Sequence, residues 1–153
     1  MRMKLPLIAF ALLLAAFTTP ASSRAQDPSK GIKVEVIGFR NDKGLLRCSL
    51  WSGPDGFPRD GSHIWKHASA PVKDRSGECV FGGNIPAGDY AVTIFHDEDA
   101  SGKFKSNFIG YPLEGYGFSN NVNPQFKAPG FDECKFLYDG SRWKQIPIKM
   151  IYR

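Results

Sequence analysis

Beyond residue 30 the chain alternates apolar and polar side chains in short runs. Ile32, Val34 and Val36 are separated by Lys33 and Glu35, and Leu46, Cys48 and Leu50 by Arg47 and Ser49. A period of two sends successive side chains to opposite faces, so each run predicts a half-buried strand. Turn residues, Arg40-Asn41-Asp42-Lys43-Gly44, lie between them, and the two runs are expected to close as an antiparallel hairpin. Cys79 and Phe81 share one side of a third strand over 78–82. At 84–89 Pro86 presets one dihedral and Gly88 supplies a positive one. Residues 90–95 (YAVTIF) then form a β-branched and aromatic strand. Residues 131–138 and 143–151 read as a second hairpin across Asp139-Gly140-Ser141, with Ile146, Ile148 and Met150 on one face. Pro147 places the last run at a sheet edge or a bulge, because proline offers no N–H to a ladder.

Two stretches lack this period. Residues 52–76 are broken by Gly53-Pro54 and Gly56-Phe57-Pro58; a short helical turn is expected around 62–69, with Phe57 and Trp65 capping one end of the core. Residues 96–121 (HDEDASGKFKSNFIGYPLEGYGFSNN) follow the strongest strand without a clear period. A loop of more than about 15 residues in a compact domain is functional or disordered, and Phe104, Phe108, Tyr111, Tyr116 and Phe118 argue for order here. Short strands, close turn signals and no long amphipathic helix predict an all-β fold. The expected architecture is an antiparallel β-sandwich of six to seven strands, immunoglobulin-like or transthyretin-like, with one long ordered loop.

Composition adds a compartment. The start of the 153-residue chain is basic (Arg2, Lys4), then apolar over 5–17, then ends in Ser23-Arg24-Ala25. This is the layout of a secretory signal peptide spanning 1–25, followed by a polar leader at 26–30 and one domain at 31–153. The apolar run is too short to span a bilayer, so no membrane insertion is expected after cleavage, and the mature domain is placed in the periplasm or outside the cell. Cleavage removes three of the 20 basic residues and none of the 15 acidic ones, so the charge falls from +5 to near +2. Such scattered, near-balanced charge excludes a nucleic-acid footprint. Cys48, Cys79 and Cys134 allow three single bridges, each leaving one thiol; no C-x-x-C is present.

The motifs Phe57-Pro58, Pro86-x-Gly88-x-Tyr90-Ala91, His96-Asp97-Glu98, Gly102-Lys103, Asn107, Gly110-Tyr111-Pro112, Glu114-Gly115-Tyr116-Gly117-Phe118-Ser119-Asn120 and Pro129-x-Phe131 are spread over residues 57–131, most of the mature chain. Together they resemble the bacterial exported family of unknown function numbered 2141. The resemblance implies a β-sandwich and export, and no known activity. It also implies a Cys48–Cys79 bridge, with Cys134 as the odd thiol. Where the family reads H-D-E-N-x-N-G-x-x-D-x-N, this chain has Asp99, Ser101 and Lys105 at the two asparagines and the later aspartate.

Asp97, Asp99 and Ser101 have the spacing of oxygen ligands in a calcium loop, with Gly102 at the sharp turn. Lys105 and Phe108 stand where further ligands belong, and only Glu114 or Asn107 is left to complete a shell of about six to eight oxygens. The expectation is that these side chains accept hydrogen bonds from their own loop backbone and that no cofactor is required, with a structural calcium ion as the alternative. His96 and Glu98 are candidate acid–base groups, but no nucleophile motif accompanies them. The expected function is therefore a non-enzymatic exported domain that binds a protein or glycan through the 96–121 loop. His96, Asp97, Glu98, Glu114, Tyr116 and Asn120 are the candidate contacts; a structural calcium domain ranks second and a weak hydrolase third.

Overall fold

A computed structural model describes residues 29–153. The expected signal peptide over 1–25, and the leader up to residue 28, lie outside the described residues. Eight strands follow in order: β1 (Gly31–Ile37), β2 (Leu45–Trp51), β3 (Lys66–Pro71), β4 (Ser76–Gly82), β5 (Gly88–Asp97), β6 (Tyr116–Phe118), β7 (Phe136–Tyr138) and β8 (Trp143–Lys149). One helical turn, α1 (Phe131–Cys134), and two 3₁₀ turns, Gly61–His63 and Ser119–Asn121, complete the elements.

The strands form two sheets. One is three-stranded, in the order β4-β1-β8; the other runs β3-β2-β5-β6, with β7 pairing the start of β5. The sandwich has eight strands rather than six or seven, and β1 and β8 run parallel in an otherwise antiparallel set. The alternating residues meet between the sheets. Ile32, Val34, Val36, Cys79, Phe81, Ile146 and Ile148 face Leu46, Cys48, Leu50, Tyr90, Val92 and Ile94, all buried. Each fully buried aliphatic side chain contributes about 1.5–3 kcal/mol by leaving water. The Cys48–Cys79 disulfide joins β2 to β4 and so ties one sheet to the other.

Three local expectations fail. β1 and β2 are not a hairpin: β1 lies between β4 and β8, and β2 between β3 and β5. Residues 38–44 instead carry the chain across from one sheet to the other. Residues 131–138 and 143–151 do not pair either. Phe131 and Cys134 face inward from a helical turn closed by Glu133, whose carboxylate accepts from the Gly130 N–H at 2.6 Å. β7 then joins β5, while β8 joins β1. The helical turn expected over 62–69 shrinks to Gly61–His63, and β3 begins at Lys66. In each case alternation or apolar spacing identified the buried side chains but not the strand beside them. The edge position of Pro147 holds, since β8 borders its sheet.

A second apolar cluster covers part of the outer face of the larger sheet. Trp51, Ala91, Tyr116, Phe118, Phe131 and Cys134 are buried there beneath Phe57, Ile64, Val122 and Ile151. Trp65 does not join it; half exposed, it stacks beside Tyr90. This outer layer decides where the sheet surface remains open.

Candidate functional site

The root of the 96–121 loop is a polar knot at the end of β5. His96 is fully buried. Its Nε2 lies 2.7 Å from the Lys43 carbonyl oxygen, which only accepts, so Nε2 carries the proton. Nδ1 then accepts from the Tyr152 hydroxyl at 2.8 Å, and that oxygen accepts from the Arg40 N–H. Asp97 is also fully buried. One carboxylate oxygen accepts from the Ser101 N–H, and the other from the Gly102 N–H and from Arg47 Nε, each at 2.9 Å. Glu98 takes Asn41 at 3.0 Å and an ion pair with Arg40. Burial acts to raise the Glu98 pKa, but the Asn41 and Arg40 hydrogen bonds outweigh it and hold the carboxyl below its usual value.

Gly44 explains how the crossover reaches this knot. Its φ is +65°, and a Cβ there would stand 1.9 Å from the Asp97 carbonyl oxygen. Glycine alone lets the 38–44 link run against the loop root and deliver Lys43, Asn41 and Arg40 to it.

Asp97, Asp99 and Glu114 are the described residues that could hold a cation, with ligand oxygens within 4.8 Å of one another. The Ser101 hydroxyl lies beside them, turned to Asp97 and to the Lys103 carbonyl, each at 3.4 Å. The Lys105 ammonium is bonded to Asp99, and the Lys105 N–H donates to Glu114 at 3.0 Å. That ammonium lowers the Asp99 pKa to about 2, and Asp99 in return raises the Lys105 pKa. A protein cation thus already sits among the three carboxylates.

The far end of the loop is also tied to backbone. The Ser119 hydroxyl donates to the Cys134 carbonyl at 2.6 Å and accepts from the Val92 N–H. Asn120 donates to the Glu133 and Lys135 carbonyls, which fastens α1. Asn121 reaches β8, accepting from the Lys149 N–H at 2.8 Å and donating to the Pro147 carbonyl at 3.2 Å. Burial pushes the Cys134 thiol beneath this turn up to about 12.

Beside the outer apolar cluster the larger sheet is open, and a cleft of about 640 Å³ lies on it. Its floor includes Thr93 and Phe95 of β5 and Trp51 of β2, whose indole donates to the Thr93 hydroxyl at 3.0 Å. One wall is the middle of the long loop, with Phe104 packed against Phe95. The other walls come from residues 58–64, from residues 124–128 and from Arg153. This volume falls in the ordinary range of small-molecule pockets.

Of the six candidate contacts, only Tyr116 lines this cleft. Its hydroxyl accepts from Arg153 at 2.8 Å. His96, Asp97 and Glu114 are buried supports of the loop, Glu98 pairs with the crossover link, and Asn120 holds α1. Sequence reasoning missed Arg59, Thr93, Phe95 and Phe126 as lining residues. They come from three segments, Thr93 and Phe95 both from β5, and the only signal for the cleft among them was the isolation of Phe126 in a polar stretch.

The chain matches, over residues 34–145, the family described as "Uncharacterized protein conserved in bacteria (DUF2141)". No curated protein matches it, and no solved structure does.

Proposed function

The chain belongs to the DUF2141 family, and on that premise we propose that it is an exported, non-enzymatic β-sandwich domain that binds a ligand in the cleft beside the 96–121 loop. The observation that carries this reading is the cleft itself: an aromatic floor and wall left open on a sheet whose outer face is partly covered by the second apolar cluster. Buried polar side chains of the loop, His96, Asp97, Glu114 and Ser119, are engaged in holding it. The loop thereby becomes an ordered wall, which lowers the entropic cost of binding. Export to the periplasm or beyond is supported by the Cys48–Cys79 disulfide, a bond that persists in oxidising compartments. Among the described residues no helix is long and apolar enough to cross a membrane.

A panel of soluble peptides, glycans and short-chain amphiphiles, read by tryptophan emission and melting temperature, tests the reading. At least one class should shift the emission of wild type and lose that effect by about tenfold in affinity, roughly 1.4 kcal/mol, in Phe104→Ala or Phe95→Ala. A ligand whose binding ignores both substitutions would move the site elsewhere.

A further inference from the structure

We infer that the cleft takes an anionic phospholipid at a bilayer surface, and that two loop tips beside it dip into that surface; this rests on the cleft being the binding site. Three observations converge. First, among the described residues no acidic side chain lines the cleft, whereas those of Arg59, Lys127 and Arg153 do. Arg153 is held in place by neutral partners, the Tyr116 hydroxyl, the Asn123 side chain and the Pro124 carbonyl. The cleft therefore favours a negatively charged group. Second, the rings of Phe95, Phe104 and Phe126 and the side chain of Ile109 line the cleft beside five side-chain hydroxyls and one amide. An acyl chain needs only such apolar surface, and the hydroxyls and amide can bond a headgroup. Third, Phe108 and Phe126 are fully exposed, and Ile109 is 73% exposed. Ile109 and Phe126 themselves line the cleft, one from the long loop and one from residues 124–128.

Large apolar side chains on loop tips next to basic residues match the polarity gradient of a membrane interface, where rings enter the headgroup region and cations meet anionic lipid. The ligand would then enter from the bilayer, headgroup toward the Arg59, Lys127 and Arg153 rim and chain along the aromatic floor. Two weak signals, apolar tips and positive charge, together suit reversible peripheral binding.

The test uses tryptophan emission of the full-length chain in two variants, so residues 1–28 contribute equally to both. Phe108→Trp reports the proposed tip. Val80→Trp reports the outer face of the three-stranded sheet, where Val80 is exposed. With vesicles of mixed phosphatidylglycerol and phosphatidylcholine, Phe108→Trp emission should shift to the blue beyond the wild-type response of Trp51, Trp65 and Trp143, whereas Val80→Trp should shift no more than wild type. The shift should weaken about tenfold with pure phosphatidylcholine, with added salt, or when Arg59→Glu and Lys127→Glu are combined with it. No shift, an equal shift in Val80→Trp, or a shift indifferent to lipid charge overturns the inference. If vesicles fail but a soluble peptide or glycan binds and is lost in Phe104→Ala, only the lipid assignment falls. If no ligand of either kind binds, the cleft reading falls with it.

Discussion

Lys105 shows how much one side chain changes the chemistry of the 96–121 loop. The cluster of Asp97, Asp99 and Glu114 has the charge to attract a divalent ion, yet Lys105 is bonded to Asp99 and its charge is felt by all three carboxylates. The Asp99 pKa near 2 lies below the ordinary value of about 3.9. A depressed carboxylate pKa contributes stability that is present above the unfolded value. That contribution is lost as pH falls through the folded one, here between about pH 4 and pH 2. A carboxyl-resolved NMR titration should therefore place the Asp99 midpoint near 2 in wild type and move it up toward about 4 in Lys105→Met. Both groups are solvent-exposed, so the global melting temperature should barely respond. The same ammonium competes with calcium. Millimolar calcium should leave the melting temperature of wild type unchanged and raise it in Lys105→Asp, where a fourth carboxylate replaces the cation. A calcium-dependent rise in wild type would show that Lys105 yields to the ion.

At the scale of elements, the loop's last residues act as connectors. β8 is an edge strand, and edges with open N–H and C=O groups invite unwanted pairing. Asn121 covers this edge by bonding Lys149 and Pro147 with its amide, as a neighbouring strand would with its backbone. Asn120 does the same for the end of α1, and Ser119 links β5 to Cys134. Asn121→Ala removes two hydrogen bonds at an exposed site and should cost about 1–2 kcal/mol in urea unfolding, at roughly 0.5–1.5 kcal/mol per bond. Amide exchange of Lys149 should accelerate more than that of Val34 in the central strand of the same sheet. The Ser-Asn-Asn ending was visible in the sequence as a motif, but its role was not. Polar residues in such a run look alike whether they face a ligand or a backbone carbonyl, and only the arrival of β8 and α1 beside them settles which.

The whole molecule is two sheets fastened at several places: the packed core, the Cys48–Cys79 disulfide, and the polar knot that joins the 38–44 link to the end of β5. The disulfide encloses a sequence separation of 31 residues. In the loop-entropy account, removing such a bond costs about 3–4 kcal/mol. Cys48→Ser with Cys79→Ser should lose stability of that order in denaturant. Cys134, buried and with a thiol raised to about 12, should resist alkylation in the native fold and react only on unfolding. Rapid native alkylation would mean that α1 opens readily from the outer cluster.

Alternation along each run was enough to assign Ile32, Val34, Val36, Leu46, Cys48, Leu50, Ile146 and Ile148 to the interior. The period is a local property of extended backbone and needs no partner to be read. The turn residues, the ordered loop and the all-β class were legible for the same reason. Neighbours were not, because the buried face of a strand is the same whether its successor pairs beside it or packs across from it. That choice rests on long-range packing, and it put β1 beside β4 and β8 and sent residues 38–44 over to the loop root. The cleft depends on it entirely. Trp51, Thr93, Phe104, Phe126 and Arg153 share no motif and no spacing; they meet because the larger sheet leaves part of its outer face uncovered. By itself the sequence determined which apolar side chains of the strands are buried and where the backbone turns, while the tertiary structure decided which buried faces meet, which polar groups of the loop are buried with them, and what surface remained to bind.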